Sequence, residues 1–96
     1  MAIPKAILTN HPHVEKNQAV CGGDPVITGT RIPIRLLYLR ARAGDSVETI
    51  QQVYPGLSLA QIYDALSYAH DHLPEIETEI QRENEAFSQG TQGQSR

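Results

Sequence analysis

Residues 24–34 constrain the fold more than any other stretch, because they change the chain from extended to helical. Val26 and Ile27 are β-branched and favour a partly buried strand. Gly29 permits the turn that ends this strand. Pro33 has a helical φ and lacks the N–H group that a first helical turn leaves without a partner. The sequence therefore predicts strands before this segment and helices after it.

A short β-hairpin is predicted at the start of the domain. Residues 13–16 and 26–28 favour strands, and the glycine-containing segment 17–25 links them. Residues 1–12 contain two prolines and show no hydrophobic period, so we expect them to be loose. Because a lone two-stranded hairpin is marginal in water, it has to pack on the helices or pair with a second copy.

Three helices are predicted next, each with apolar residues at the spacing of one helical face. The first covers about residues 34–43 and the second begins after Ser46, a favourable N-cap. The third begins after Ser58, where Gln61 completes a capping box. Short helices joined by a tight turn predict a homeodomain-like helix-turn-helix domain over residues 13–73, mostly α. Three helices that simply close a small core, without nucleic acid, are the alternative.

A fourth helix is predicted over residues 74–87, with few large apolar side chains. Ile76, Ile80 and Phe87 share one face of this helix. Because this stripe is narrow, the helix is marginal by itself. It has three alternatives: docking on its own domain, pairing across a dimer, or becoming ordered on a partner. Residues 88–96 are rich in Gly, Ser and Gln and are predicted to be disordered.

Charge is distributed unevenly along the chain. Residues 1–57 contain six Lys or Arg and four Asp or Glu, whereas residues 58–96 contain two and seven. The basic side chains concentrate near the first helix and the acidic ones in the fourth. This layout suits a basic patch for nucleic acid and an acidic tail for a protein partner, and two solvated faces explain it equally well.

Several function classes find no support in the sequence. The single cysteine excludes an internal disulfide framework and suits a reducing cytosol, and no apolar run approaches the roughly 18 residues of a membrane span. His70 and His72 point to nearly opposite sides of a helix, and His11 and His13 lack a third ligand. We therefore expect a cytoplasmic protein that is not an enzyme and has neither a metal site nor a cofactor.

The sequence CGGDPVITGTRIPI at residues 21–34 resembles the signature of the bacterial domain-of-unknown-function family 433 (DUF433). Further matches follow in order: GDSVE at 44–48, YPGL at 54–57 and QIYDALSY at 61–68. The family is also described as resembling VapB-type antitoxins. This resemblance implies a homodimeric helix-turn-helix head that binds DNA, and a tail that occludes a toxin, commonly a nuclease.

If the head binds DNA, arginines of the first helix have to neutralise phosphates, because the third helix carries no Lys or Arg. Gln61 is placed to contact an adenine edge. The DNA-binding candidates are therefore Arg35, Arg40, Arg42, Ser58 and Gln61.

If the tail binds a toxin, its apolar face is the candidate anchor. Arg82 is the only basic residue between Pro74 and Ser95 and is the candidate for the carboxylate pocket of a nuclease. The toxin-binding candidates are Ile76, Ile80, Arg82 and Phe87. Our first interpretation is an antitoxin-like protein that neutralises a nuclease. A stand-alone DNA-binding regulator, or an interaction module that does not bind DNA, is the alternative.

Overall fold

The structure is a computed structural model that describes residues 7–91 and the side chains of residues 9–86. Three short strands precede four helices, so the fold is mostly α, as predicted. The strands are β1 (Ile7–Leu8), β2 (Val14–Lys16) and β3 (Val26–Ile27). The helices are α1 (Ile34–Arg42), α2 (Val47–Val53), α3 (Leu59–Asp71) and α4 (Leu73–Thr91).

The predicted hairpin is present and has one strand more than expected. β2 pairs with β3 in antiparallel register, with Val14 opposite Ile27, and β1 pairs with the other edge of β2. The prediction that residues 1–12 are loose is therefore wrong for β1, because two residues are too few to show a period of two. Residues 1–6 lie outside the described residues.

The chain reverses within residues 24–34 by pairing with itself. Gly29 has a φ of 79°, and the neighbouring Thr30 N–H donates to the Ile27 carbonyl oxygen at 2.9 Å. The Ile34 N–H donates to the Pro25 carbonyl oxygen at 2.9 Å, at the point where α1 begins. The segment thus fixes the direction in which α1 leaves the sheet.

The helix-turn-helix arrangement of α1, α2 and α3 forms as predicted, and α3 packs against both other helices. Ser46 Oγ accepts a hydrogen bond from the Thr49 N–H at 3.1 Å at the start of α2. At the start of α3, Ser58 Oγ accepts from the Gln61 N–H at 3.1 Å, and Gln61 Oε1 accepts from the Ser58 N–H at 2.7 Å. The capping box is confirmed.

α4 docks on its own domain, which was one of the three alternatives for this helix. A single residue, His72, separates it from α3. Ile76 is fully buried and Ile80 is 7% exposed, and both belong to the core that Ile34 and Leu37 of α1 also form. The helix runs to Thr91, so the prediction of disorder is wrong for residues 88–91, and residues 92–96 lie outside the described part.

Candidate functional site

The predicted DNA-binding residue Arg42 is paired with α4. Its Nη1 donates to both carboxylate oxygens of Glu77, at 3.0 and 3.2 Å. The guanidinium also lies over the Tyr38 ring, 5.3 Å from its centre, and the Tyr38 hydroxyl donates to Glu77 at 3.2 Å. The hydrogen bond with Glu77 is the main reason that the pKa of Arg42 is raised. Its charge is therefore already matched within the chain.

Arg35 is paired in the same way, and its side chain is largely buried. Its Nη1 donates to Asp24 at 3.2 Å and its Nη2 donates to Glu83 of α4 at 3.3 Å. Asp24 also accepts from Arg82 of α4 at 2.6 Å. Because Arg42 contacts the beginning of α4 and Arg35 contacts a later turn, α1 and α4 run antiparallel. Arginines of α1 thus pair with glutamates of α4 at two levels along the helices.

The other DNA-binding candidates do not join this surface. Arg40 Nη1 lies 2.8 Å from Asp45, just beyond the end of α1. Ser58 and Gln61 use their side chains to cap α3. The five candidates therefore do not form one basic face, and each has a partner within its own chain.

Where a helix-turn-helix protein contacts DNA, the exposed side of α3 carries uncharged residues, next to the exposed carboxylate of Asp71 at the end of the helix. We call this surface the α3 face; its members are Leu59, Ala60, Tyr63, Ser67 and His70. Tyr63 is 57% exposed, the largest value among the exposed large hydrophobic side chains within the described part of the chain. Tyr68 of the same helix does not belong to this face, because it is buried at 1% exposure.

A histidine clasp that the sequence did not reveal ties the N-terminal segment to α3. His11 Nδ1 lies 2.9 Å from Asp64, and its Nε2 lies 3.0 Å from Asp71. The other oxygen of Asp64 accepts from the His13 N–H at 2.8 Å. Asp64 and Asp71 are seven residues apart and share a helix side, which is the signal that could have found them. The clasp occupies Asp64, so this carboxylate is not free on the α3 face.

The predicted toxin-binding residues are split between the core and the surface. Ile76 and Ile80 are core residues of their own domain, so the prediction of an exposed apolar anchor is wrong for both. The reason is that α4 packs against α1 and α3 and contributes Ile76 and Ile80 to the core that these helices share. The side chain of Phe87 lies outside the described side chains. Arg82 is 58% exposed and pairs with Asp24.

Beyond Ile80, in the part that we call the projecting half of α4, no described side chain is buried, and the ion pairs of Arg82 with Asp24 and of Glu83 with Arg35 are the contacts with the domain that remain among the described residues. Every residue from 81 to 86 is exposed, although the helix continues to Thr91. An amphipathic helix that packs on its own chain alternates buried and exposed residues. This half of α4 shows no such alternation over its described side chains.

One carboxylate is buried at the base of the projecting half. Glu79 is 4% exposed, and its Oε1 has no hydrogen-bond partner among the described residues. Burial is the largest cause of a pKa raised to about 7, and the nearby Asp24 and Glu75 contribute to it. The spacing gave a signal, because position 79 follows Ile76 by three and falls on the same face.

The described residues contain neither a group of three His, Cys, Asp or Glu able to hold a metal ion nor a helix long and apolar enough to cross a membrane.

The chain matches known proteins along most of the helical domain. Residues 14–69 match the family described as "Protein of unknown function (DUF433)". A crystal structure of a DUF433 member from Anabaena variabilis ATCC 29413 is similar, with a TM-score of 0.66 and 29% identity over 71% of this chain and 67% of that one. The uncharacterised protein y4eO of Sinorhizobium fredii is 33% identical over 72% of this chain. The match spans 28% of that relative's length. This mostly helical chain therefore belongs to the DUF433 family, whose function is unknown.

Proposed function

We propose that the chain is an antitoxin-like protein of a type II toxin-antitoxin system, and that residues 81–91 of α4 bind a nuclease toxin. The helix-turn-helix head is the folded platform from which this segment extends. The observation that carries the proposal is the uninterrupted exposure of residues 81–86 on a helix that continues to Thr91. This moves the toxin-binding segment away from Ile76 and Ile80, which the core already uses.

A helix that projects without packing needs contacts from elsewhere. Isolated helices shorter than about 12–15 residues are marginal in water, and packing of an apolar face supplies most helical stability in proteins. The projecting half of α4 has no buried side chain from residue 81 to residue 86. A partner that covers this segment supplies the missing contacts, as in other segments that become ordered on binding.

The charge of the projecting half favours a basic partner. The side chain of Glu83 is 63% exposed even with Arg35 beside it, and the exposed Glu85 accepts only from Gln81 Nε2, at 3.2 Å, within the described residues. Acidic groups at a rim accelerate encounter with the basic RNA-binding surface of a nuclease. Arg82 exchanges its partly exposed pair with Asp24 for a carboxylate of the toxin at low cost, because surface ion pairs are weak.

Co-expression with the product of the adjacent gene tests the proposal. Removing residues 81–96 is expected to leave a folded head that no longer co-purifies with the toxin or rescues growth. Removing only residues 92–96 is the matched control and is expected to retain both. Circular dichroism checks that each shortened chain remains helical. If the chain that ends at Ile80 still neutralises the toxin, the projecting half is not the inhibitory segment.

A stand-alone DNA-binding regulator is the second candidate, and the capped turn between α2 and α3 favours it. Two observations weigh against it: α3 has no Lys or Arg, and the α1 arginines already have carboxylate partners. Phosphate neutralisation supplies most of the affinity for DNA. Sequence-specific retention of duplex DNA by the purified protein at physiological salt would favour this candidate over the first.

A further inference from the structure

We propose that Glu79 is a proton-dependent switch: when protonated it lets the end of α4 dock on the domain, and when ionised it releases residues 79–91. Glu79 lies at the boundary between two parts of this helix. Ile76 before it is fully buried, and every side chain from 81 to 86 after it is exposed. The switch is a property of this chain alone, so its test does not depend on toxin binding.

The carboxyl group of Glu79 is buried without a partner for one of its oxygens. The residue is 4% exposed, and Oε1 accepts no hydrogen bond within the described residues. The nearby arginines, Arg35 and Arg82, donate to Asp24 instead. Burying a charge that is not paired and hydrogen-bonded is costly, whereas burying a neutral carboxyl group costs much less. The docked position of Glu79 therefore favours the protonated form.

Titratable groups surround Glu79 and its neighbour Glu75 from every element that packs on this part of α4. They are Lys16 of β2, Asp24 before β3, Arg35 of α1, Tyr68 of α3, and Glu75, Arg82 and Glu83 of α4. The Tyr68 hydroxyl donates to Glu75 at 3.0 Å, and Lys16 Nζ lies 2.7 Å from the other oxygen of Glu75. Both groups are thus engaged by Glu75.

These surroundings set the direction of the switch. Burial is the largest cause of the raised pKa of Glu79, Asp24 and Glu75 add to it, and Arg35 and Arg82 oppose it. The pKa is about 7 in the docked helix, and in the released segment it returns towards the ordinary 4.5. Docking is therefore strongest below pH 4.5 and weakens as the pH rises to about 7. This difference limits the gain in the opening equilibrium constant to about 300-fold.

Few other contacts hold the end of α4 on the domain. Ile80 is the last buried side chain within the described part of the chain. The pairs of Arg82 with Asp24 and of Glu83 with Arg35 each include a largely exposed side chain, and such pairs are weak. An isolated helix of this length is marginal in water, so released residues 79–91 are expected to unfold while the part that contains Ile76 stays docked.

Hydrogen exchange of the full chain at pH 5 and pH 8, corrected for intrinsic exchange rates, tests the switch. The amides of residues 80–84 are expected to lose protection by about 70-fold between these pH values. Low concentrations of urea are expected to leave their exchange unchanged, because local opening exposes little surface. The buried amides of α3 are expected to be better protected and to exchange faster as urea is added.

Glu79→Gln cannot ionise and is expected to show the same protection of residues 80–84 at both pH values. Glu79→Leu, which also lacks a titratable group, is expected to give the same result. Glu85→Gln changes an exposed carboxylate of the same helix and is the matched control, expected to keep the wild-type pH dependence. Circular dichroism checks that each variant stays folded.

Two results overturn the inference. One is exchange of residues 80–84 with the protection and urea dependence of α3, which would make the end of α4 part of the global unfolding unit. The other is a pH dependence that persists in a folded variant without the Glu79 carboxyl group.

Discussion

Glu79→Gln tests the most unusual side chain of the core. Glu79 is 4% exposed with an unpartnered Oε1, and its neighbours carry charges of both signs. Burial, with smaller contributions from Asp24 and Glu75, raises its pKa to about 7, and Arg35 and Arg82 oppose the rise. The substitution removes the ionisable proton and keeps the shape of the side chain. It therefore isolates the cost of burying the carboxylate.

The direction of the pH dependence follows from the sign of this shift. The native state holds the proton more tightly than the unfolded chain, whose glutamate has a pKa of 4.5. Stability from this group is therefore greatest below pH 4.5 and falls as the pH rises to about 7, beyond which the full cost remains. At 1.36 kcal/mol per pKa unit, the cost is about 3 kcal/mol.

Urea unfolding at pH 5 and pH 8 measures this cost. Glu79→Gln is expected to unfold like the wild-type chain at pH 5 and to be more stable by about 2–3 kcal/mol at pH 8. Glu85→Gln, which changes an exposed carboxylate of the same helix, is the control and is expected to stay within about 0.5 kcal/mol of the wild type. If Glu79→Gln instead destabilises the protein at pH 8, Glu79 is ionised and held by Arg35 and Arg82, and our reasoning is wrong.

Two further changes test the core and the clasp by urea unfolding. Ile76→Ala empties a fully buried position and is expected to cost 2–5 kcal/mol, approximately, whereas an unchanged midpoint would place α4 outside the cooperative core. His11→Gln removes the ring between Asp64 and Asp71 and is expected to cost about 1–3 kcal/mol; a variant as stable as the wild type would show that the clasp contributes nothing.

Local features of this fold are predictable because each is encoded by residues close together in the sequence. The capping box needs only Ser58 and Gln61, and the turn before α1 needs a glycine at position 29. Helical periodicity likewise locates α1, α2 and α3 to within a residue or two. The apolar stripe of α4 was also visible, but its partner was not. Whether Ile76 faces its own core or another protein depends on distant residues.

The partners of charged side chains were the least predictable part of the candidate site. Arg42 and Glu77 are separated by 35 positions, and His11 and Asp64 by 53, so local spacing cannot connect them. Composition also favours exposure for a glutamate, and Glu79 is an exception that only the packing of α4 reveals. Local patterns therefore predict the four helices, but they place several charged residues on a different surface from the one that the structure shows.

Taken separately, the basic first part of the chain and its acidic second part each predict a binding partner. In the fold, several of these opposite charges pair with each other instead. Within the described residues, three ion pairs join a Lys or Arg before position 57 to an acidic residue after it: Arg42 with Glu77, Arg35 with Glu83, and Lys16 with Glu75. An exposed pair such as Arg42 with Glu77 contributes about 0–1 kcal/mol. The ion pairs therefore favour one orientation of α4, whereas burial of Ile76 and Ile80 supplies most of the free energy that holds the helix on the domain. A basic protein can exchange such weak pairs at little cost, so internal pairing of these charges is compatible with partner binding at the projecting end of α4.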